Sequence, residues 1–153
     1  MNSYKIRWAI FCLVLSTTTS IFSQGLPLSH NLDESLNTAK AEGKNVLMLF
    51  SGSDWCKPCI QLRKNIIETS SFISYARENL VILELDFPYS KKNKLPKEQK
   101  EHNEWLAETF NKEGSFPKMI LLDQNQRSLG VVPYRKKDNT DALISEINKI
   151  IGI

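Results

Sequence analysis

An α/β fold, with a central mixed β-sheet flanked by helices on both faces, is predicted by three features of the sequence. Two short, mainly apolar runs, VLMLF at 46–50 and VILELDF at 81–87, read as strands at the centre of a sheet. Helical patterns lie before, between and after them. A pair of apolar runs around the turn formers Asp123, Gln124, Asn125 and Gln126 reads as a hairpin.

The elements follow in order. Asn31 opens a helix with Glu34 three residues on, the spacing of a capping box. Leu32, Leu36 and Ala39 follow at helical spacing, and Gly43 ends the helix. The strand at 46–50 leads through SGSDW into a helix that starts at the cysteines and runs to Ile67. Thr69 and Ser70 interrupt that helix, and Phe72, Ile73 and Ala76 resume a helical face. The strand at 81–87 comes next. Residues 88–112 are heavily charged and read as a solvated helical insertion, with Pro96 suited to its first turn and Trp105, Leu106 and Phe110 turned inward. The hairpin strands cover 119–122 and 129–134. The last helix is capped by Asp138 or Asn139 and carries the stripe Leu143, Ile144, Ile147, Ile150 and Ile151.

The first 23 residues have a different character. Lys5 and Arg7 precede an apolar run at 8–15, and small and hydroxylated residues continue to Ser23. That is the layout of a secretory signal peptide, with Ser20 or Ser23 as the small residue before the cut. The apolar run is shorter than the roughly 20 residues that span a bilayer, so no stable membrane anchor is expected after cleavage. Cys12 follows the bulky Ile10 and Phe11 and reads as an apolar residue of the leader rather than a lipid-attachment site. The expected product is one domain, 24–153, in the periplasm or secreted. Loss of Lys5 and Arg7 lowers the formal charge from +3 to +1, which gives no case for a nucleic-acid partner. About 130 residues suffice for one domain with its own core.

Of the three cysteines only Cys56 and Cys59 remain in that product. A pair two residues apart can hold a metal, staple the chain or exchange disulfides. A structural zinc site wants four ligands, and His30 and His102 are far apart and unpaired, so no metal is expected. Neither histidine is placed to activate a hydrolytic cysteine. A staple across so short a loop would constrain the unfolded chain little. Redox chemistry fits better. At a helix start, free backbone N–H groups and the helix dipole favour a thiolate at Cys56, and Lys57 beside it adds attraction. Pro58 suits the first turn because it lacks an N–H. Cys59, one turn on, is placed to resolve a mixed disulfide formed at Cys56. On this reading Cys56 is exposed and Cys59 more buried.

The string 50–59, FSGSDWCKPC, resembles the strand, loop and active-site helix of thioredoxin-like proteins, and 113–120, EGSFPKMI, resembles that family's second landmark, a cis-proline opening the next strand. The helix ending in AKAEGKNVLMLF is similar to that of secreted single-domain members. The resemblance covers about residues 31–151. It implies a thioredoxin-like fold, with Cys56 as nucleophile, Cys59 as resolving cysteine and Pro117 as a cis-proline packed against the pair. It further implies that the backbone of Phe116 pairs with an extended substrate segment. Trp55 has two readings, a shield and docking surface for the pair or ordinary packing. The implied activity is that of a thiol–disulfide oxidoreductase with no bound cofactor, acting on protein thiols and disulfides and more in the reducing direction, with a membrane-linked electron donor or acceptor. Oxidase or isomerase chemistry is the alternative in the same class, and a binding or chaperone module with a resting disulfide is the alternative outside it. Two departures stand out. Phe50 takes the position, six residues before the first cysteine, where thioredoxins keep a buried Asp. Glu84 or Asp86 on the neighbouring strand could substitute, although a solvated or capping role is the simpler expectation for each. The charged insertion is the second departure.

Overall fold

The computed structural model describes residue 26 and residues 28–153, so the expected signal peptide lies outside the described residues. The elements run β1 (Leu28–Ser29), α1 (Leu32–Glu42), β2 (Asn45–Ser51), α2 (Lys57–Leu62), a π-helical turn (Arg63–Ile67), α3 (Ser70–Asn79), β3 (Leu80–Asp86), a 3₁₀ turn (Lys91–Asn93), α4 (Lys97–Phe110), β4 (Lys118–Leu122), β5 (Ser128–Val132) and α5 (Thr140–Ile151). The sheet order is β1-β3-β2-β4-β5. β1 and β2 run parallel to β3, while β4 is antiparallel to both β2 and β5, so the sheet is mixed as expected.

Alternation along the strands sends successive side chains to opposite faces. Leu47 and Leu49 of β2 join Leu62, Ile66, Phe72, Leu143 and Ile147 on the face covered by α2, α3 and α5. Val46, Met48 and Phe50 join Leu32, Ala39 and Leu106 on the face covered by α1 and α4. Both faces are therefore dry, which is why β2 and β3 read as apolar runs rather than as alternating ones. Burying one such side chain contributes roughly 1.5–3 kcal/mol, so these two layers dominate the stability.

Helix ends are set locally. Asn31 accepts the Glu34 N–H at 3.0 Å, Thr69 accepts that of Phe72 at 3.3 Å, and Asn139 accepts that of Ala142 at 2.9 Å. Gly43 closes α1 at φ 69°, a left-handed conformation that costs an L-residue about 1–2 kcal/mol. Pro96 sits at the N-cap of α4 rather than in its first turn, and two further features differ from the sequence reading. β1, two residues long, gave no periodic signal to detect. Trp105 is 51% exposed rather than inward, because Asn103, Leu106 and Phe110 share the inner face of α4 and Trp105 is turned about 100° from Leu106.

Candidate active site

The cysteines occupy the junction of β2 and α2. β2 ends at Ser51, the loop 52–55 turns the chain, and Cys56 becomes the N-cap of α2. Cys56 and Cys59 form a disulfide, with Cα atoms 5.2 Å apart. The Cys59 N–H donates to Cys56 Sγ at 3.3 Å, so the sulfur takes the capping place usually held by a side-chain oxygen. Lys57 and Pro58 fill the first two helical positions and are exposed. Cys59 is buried as expected, at 3% exposed, but the expectation of an exposed Cys56 is corrected: it is 4% exposed, because the disulfide holds its sulfur in the same turn as that of Cys59.

A second loop reaches the same end of the sheet. β4 pairs with β2 so that Lys118 lies opposite Phe50, which brings the segment before β4 beside the cysteine loop. The Phe116–Pro117 peptide bond is cis. The loop into it is held by the buried Asn111, whose amide donates to Ser115 O and accepts from Ser115 N, both at 3.0 Å. Lys118 Nζ adds a hydrogen bond to Phe110 O at 2.7 Å.

Aromatic rings join the loops. Trp55 meets Phe116 edge to face at a centroid separation of 5.4 Å, and Phe116 meets Phe87 at the same separation. Trp55 Nε1 donates to Phe87 O at 2.7 Å, yet the residue remains 49% exposed. It is thus packed on one side and open on the other. Gly52 is required here, since a Cβ at that position would run into the Trp55 indole.

Asp54 and Phe87 belong to the site although the sequence reading did not single them out. The Asp54 carboxylate accepts from the backbone N–H groups of Tyr89 and Ser90 and from Asn93 Nδ2, each at 2.9 Å. The Tyr89 N–H is the largest influence holding the Asp54 carboxyl below its ordinary value of 3.8. The residue before Trp55-Cys56 therefore fastens the start of the charged insertion, and Asn111 fastens its end. An Asp in a loop is a turn signal, but its partners lie 35 or more residues away and leave no local trace.

The acids near the pair are also resolved. Phe50 faces the α1 and α4 layer, away from the helix that carries Cys59. Glu84, in register with Leu49 on the α2 side of the sheet, is 7% exposed and ion-paired with Arg63 of the π turn. The solvated role expected for Glu84 is therefore corrected; Asp86 caps no helix but ties the loop before α2, taking Ser53 N at 2.8 Å and Ser53 Oγ at 2.6 Å. His102 is half-buried, accepting the Leu32 N–H at 3.2 Å, and His30 is exposed.

Comparison with known proteins places this geometry. Residues 32–147 match the model of the thioredoxin-like domain family. The chain is 34% identical over 96 residues to the disulfide bond reductase DsbH of Chlamydia pneumoniae and 32% identical over 96 residues to the thioredoxin-related protein DsbJ of the same organism. Each match takes in 63% of this chain, but it spans only 56% of the first relative and 27% of the second. A solved DsbH oxidoreductase superposes with a TM-score of 0.76 at 28% identity, covering 91% of this chain and 93% of that one. The family model spans most of the described residues, and the chain therefore belongs to the thioredoxin-like family.

Proposed function

We propose that this chain is a thiol–disulfide oxidoreductase of protein substrates that works outside the cytoplasm in the reducing direction. The observation that carries the reading is the Cys56–Cys59 disulfide at the N-terminus of α2, beside the cis Phe116–Pro117 bond. The similarity to a relative named as a disulfide bond reductase supports the direction. The charged start and apolar run of residues 1–23 support export as one domain, 24–153, and cell fractionation with N-terminal sequencing of the recovered protein checks both.

In the reducing cycle the Cys56 thiolate attacks one sulfur of a substrate disulfide. An S–S bond forms between Cys56 and the substrate, and the second substrate sulfur leaves as a thiolate and takes a proton. Cys59, as thiolate, then attacks Cys56 Sγ. The Cys56–Cys59 bond forms, the first substrate sulfur leaves, and two electrons have passed to the substrate. Backbone N–H groups at the start of α2 stabilise the Cys56 thiolate, and no cofactor takes part. A dithiol donor, membrane-linked in an oxidising compartment, must return the two electrons. Trp55 and Phe116 offer the surface on which an extended substrate segment lies, with the Phe116 backbone as its hydrogen-bonding edge.

Two measurements test this reading. Cys59→Ala is expected to accumulate mixed disulfides through Cys56 with extracytoplasmic proteins, and a binding module with a resting disulfide would accumulate none. The reduction potential, titrated against glutathione and dithiothreitol, decides the direction. A value near about −270 mV marks a reductase and one near about −120 mV an oxidant, a span worth roughly 7 kcal/mol.

A further inference from the structure

The charged insertion encloses a cleft of about 350 Å³ between the segment after β3 and the side of α4. Its apolar wall includes Phe87, Pro88 and Leu95, and Lys91, Lys94 and Lys100 stand around it. Of the carboxylates present, Glu104 lies 3.4 Å from Lys100, and Asp86 is taken up by Ser53. Among the described residues neither Lys91 nor Lys94 is in an ion pair. Phe87 belongs both to this wall and to the aromatic contact with Phe116, and its carbonyl receives the Trp55 indole. The wall is also held in place: Asp54 grips Tyr89, Ser90 and Asn93, and Asn103 of α4 donates to Asp86 O at 2.8 Å.

We propose that this cleft is a substrate subsite, taking an acidic segment with an apolar side chain from the same polypeptide whose disulfide is exchanged at Cys56. The inference rests on the oxidoreductase reading above and deepens it. A volume near the lower bound of ligand pockets, about 300 Å³, admits one large side chain or two small ones rather than a folded surface. Unpaired ammonium groups around an apolar wall complement carboxylates flanking an apolar residue. Because Phe87 is shared, the cleft adjoins the aromatic contact that includes Phe116 and the carbonyl that receives Trp55. The lysines are exposed, so each contributes modestly and the attraction is screened by salt. The selectivity therefore appears in KM and falls as ionic strength rises.

The test uses two peptides of equal length, each with one internal disulfide, flanked by Phe-Asp-Glu-Asp in one and Phe-Lys-Gln-Lys in the other. Reduction of each by the dithiol protein is followed, and peptides with serine in place of cysteine are titrated for binding. The acidic peptide is expected to show about tenfold higher kcat/KM at about 0.05 M salt, through KM, and about twofold at about 0.5 M. The triple variant K91Q/K94Q/K100Q, checked for an unchanged urea midpoint, is expected to treat the two peptides alike. Equal kcat/KM for both peptides, or a preference that survives in the triple variant, overturns the subsite while leaving the oxidoreductase reading standing. Reduction of neither peptide, with the acidic serine peptide still bound by the native protein and not by the variant, refutes the oxidoreductase reading and with it the substrate role, leaving the cleft a binding site for acidic peptides. Binding of succinate as tight as that of the acidic peptide would assign the cleft to a small dicarboxylate and overturn the polypeptide assignment.

Discussion

Asp54 shows how one side chain sets a larger surface. Its carboxylate, two residues before Cys56, receives the Tyr89 and Ser90 N–H groups and the Asn93 amide. Asp54→Asn removes one acceptor oxygen and the charge. The Tyr89 and Ser90 amides are then expected to exchange with solvent markedly faster, measured by NMR, with the protein still folded. The pH dependence has a definite sign. A carboxyl held below its ordinary value of 3.8 in the folded state stabilises the loop fully above that value, and the contribution is lost as pH falls through the lower folded value. Protection at the two amides should thus be flat near neutrality and fall only in acid. Cys56 and Cys59 were legible in the sequence because their spacing is local, and Pro117 because EGSFPKMI resembles a family landmark. Asp54 and Phe87 were not, because their roles depend on partners more than thirty residues away.

Elements differ in the same way. Caps are local, and Asn31 and Asn139 perform the roles their positions suggest. Asn139→Ala is expected to cost about 1 kcal/mol, read from the urea midpoint. Trp105 reads as inward from its apolar ring, whereas the inner face of α4 is fixed by the 103, 106, 110 spacing. Arg63 and Glu84 join the π turn to β3, with side chains 29% and 9% exposed. Arg63→Ala leaves a carboxylate in the sheet layer without its cation. The expected loss is about 3 kcal/mol, measured by denaturant unfolding, whereas Lys149→Ala, at an exposed pair of α5, should cost under about 0.5 kcal/mol. Nothing in VILELDF alone distinguishes a buried acid from a solvated one.

At the scale of the molecule, the mixed sheet with helices on both faces was legible because two dry faces leave apolar strands and striped helices behind. The strand at 28–29 was not, since two residues carry no period, nor was the path of the insertion, whose ends are tied to Asp54 and Asn111. The fold does not depend on the disulfide. A loop this short lowers unfolded-chain entropy by at most about 2 kcal/mol, little beside the two apolar layers. Reduction with dithiothreitol is therefore expected to leave chemical-shift dispersion unchanged outside the two active-site loops, with only a small drop in the urea midpoint.

The polarity of the sheet has a practical consequence. β2 and β3 both run toward the cysteine end, and β4 starts there and runs away, so the 123–127 turn projects from the opposite rim, where Asn125 is exposed. A tag or surface linker inserted at Asn125 would leave the cysteine end facing solution. Oriented immobilisation on an electrode or bead becomes possible without blocking access to the dithiol.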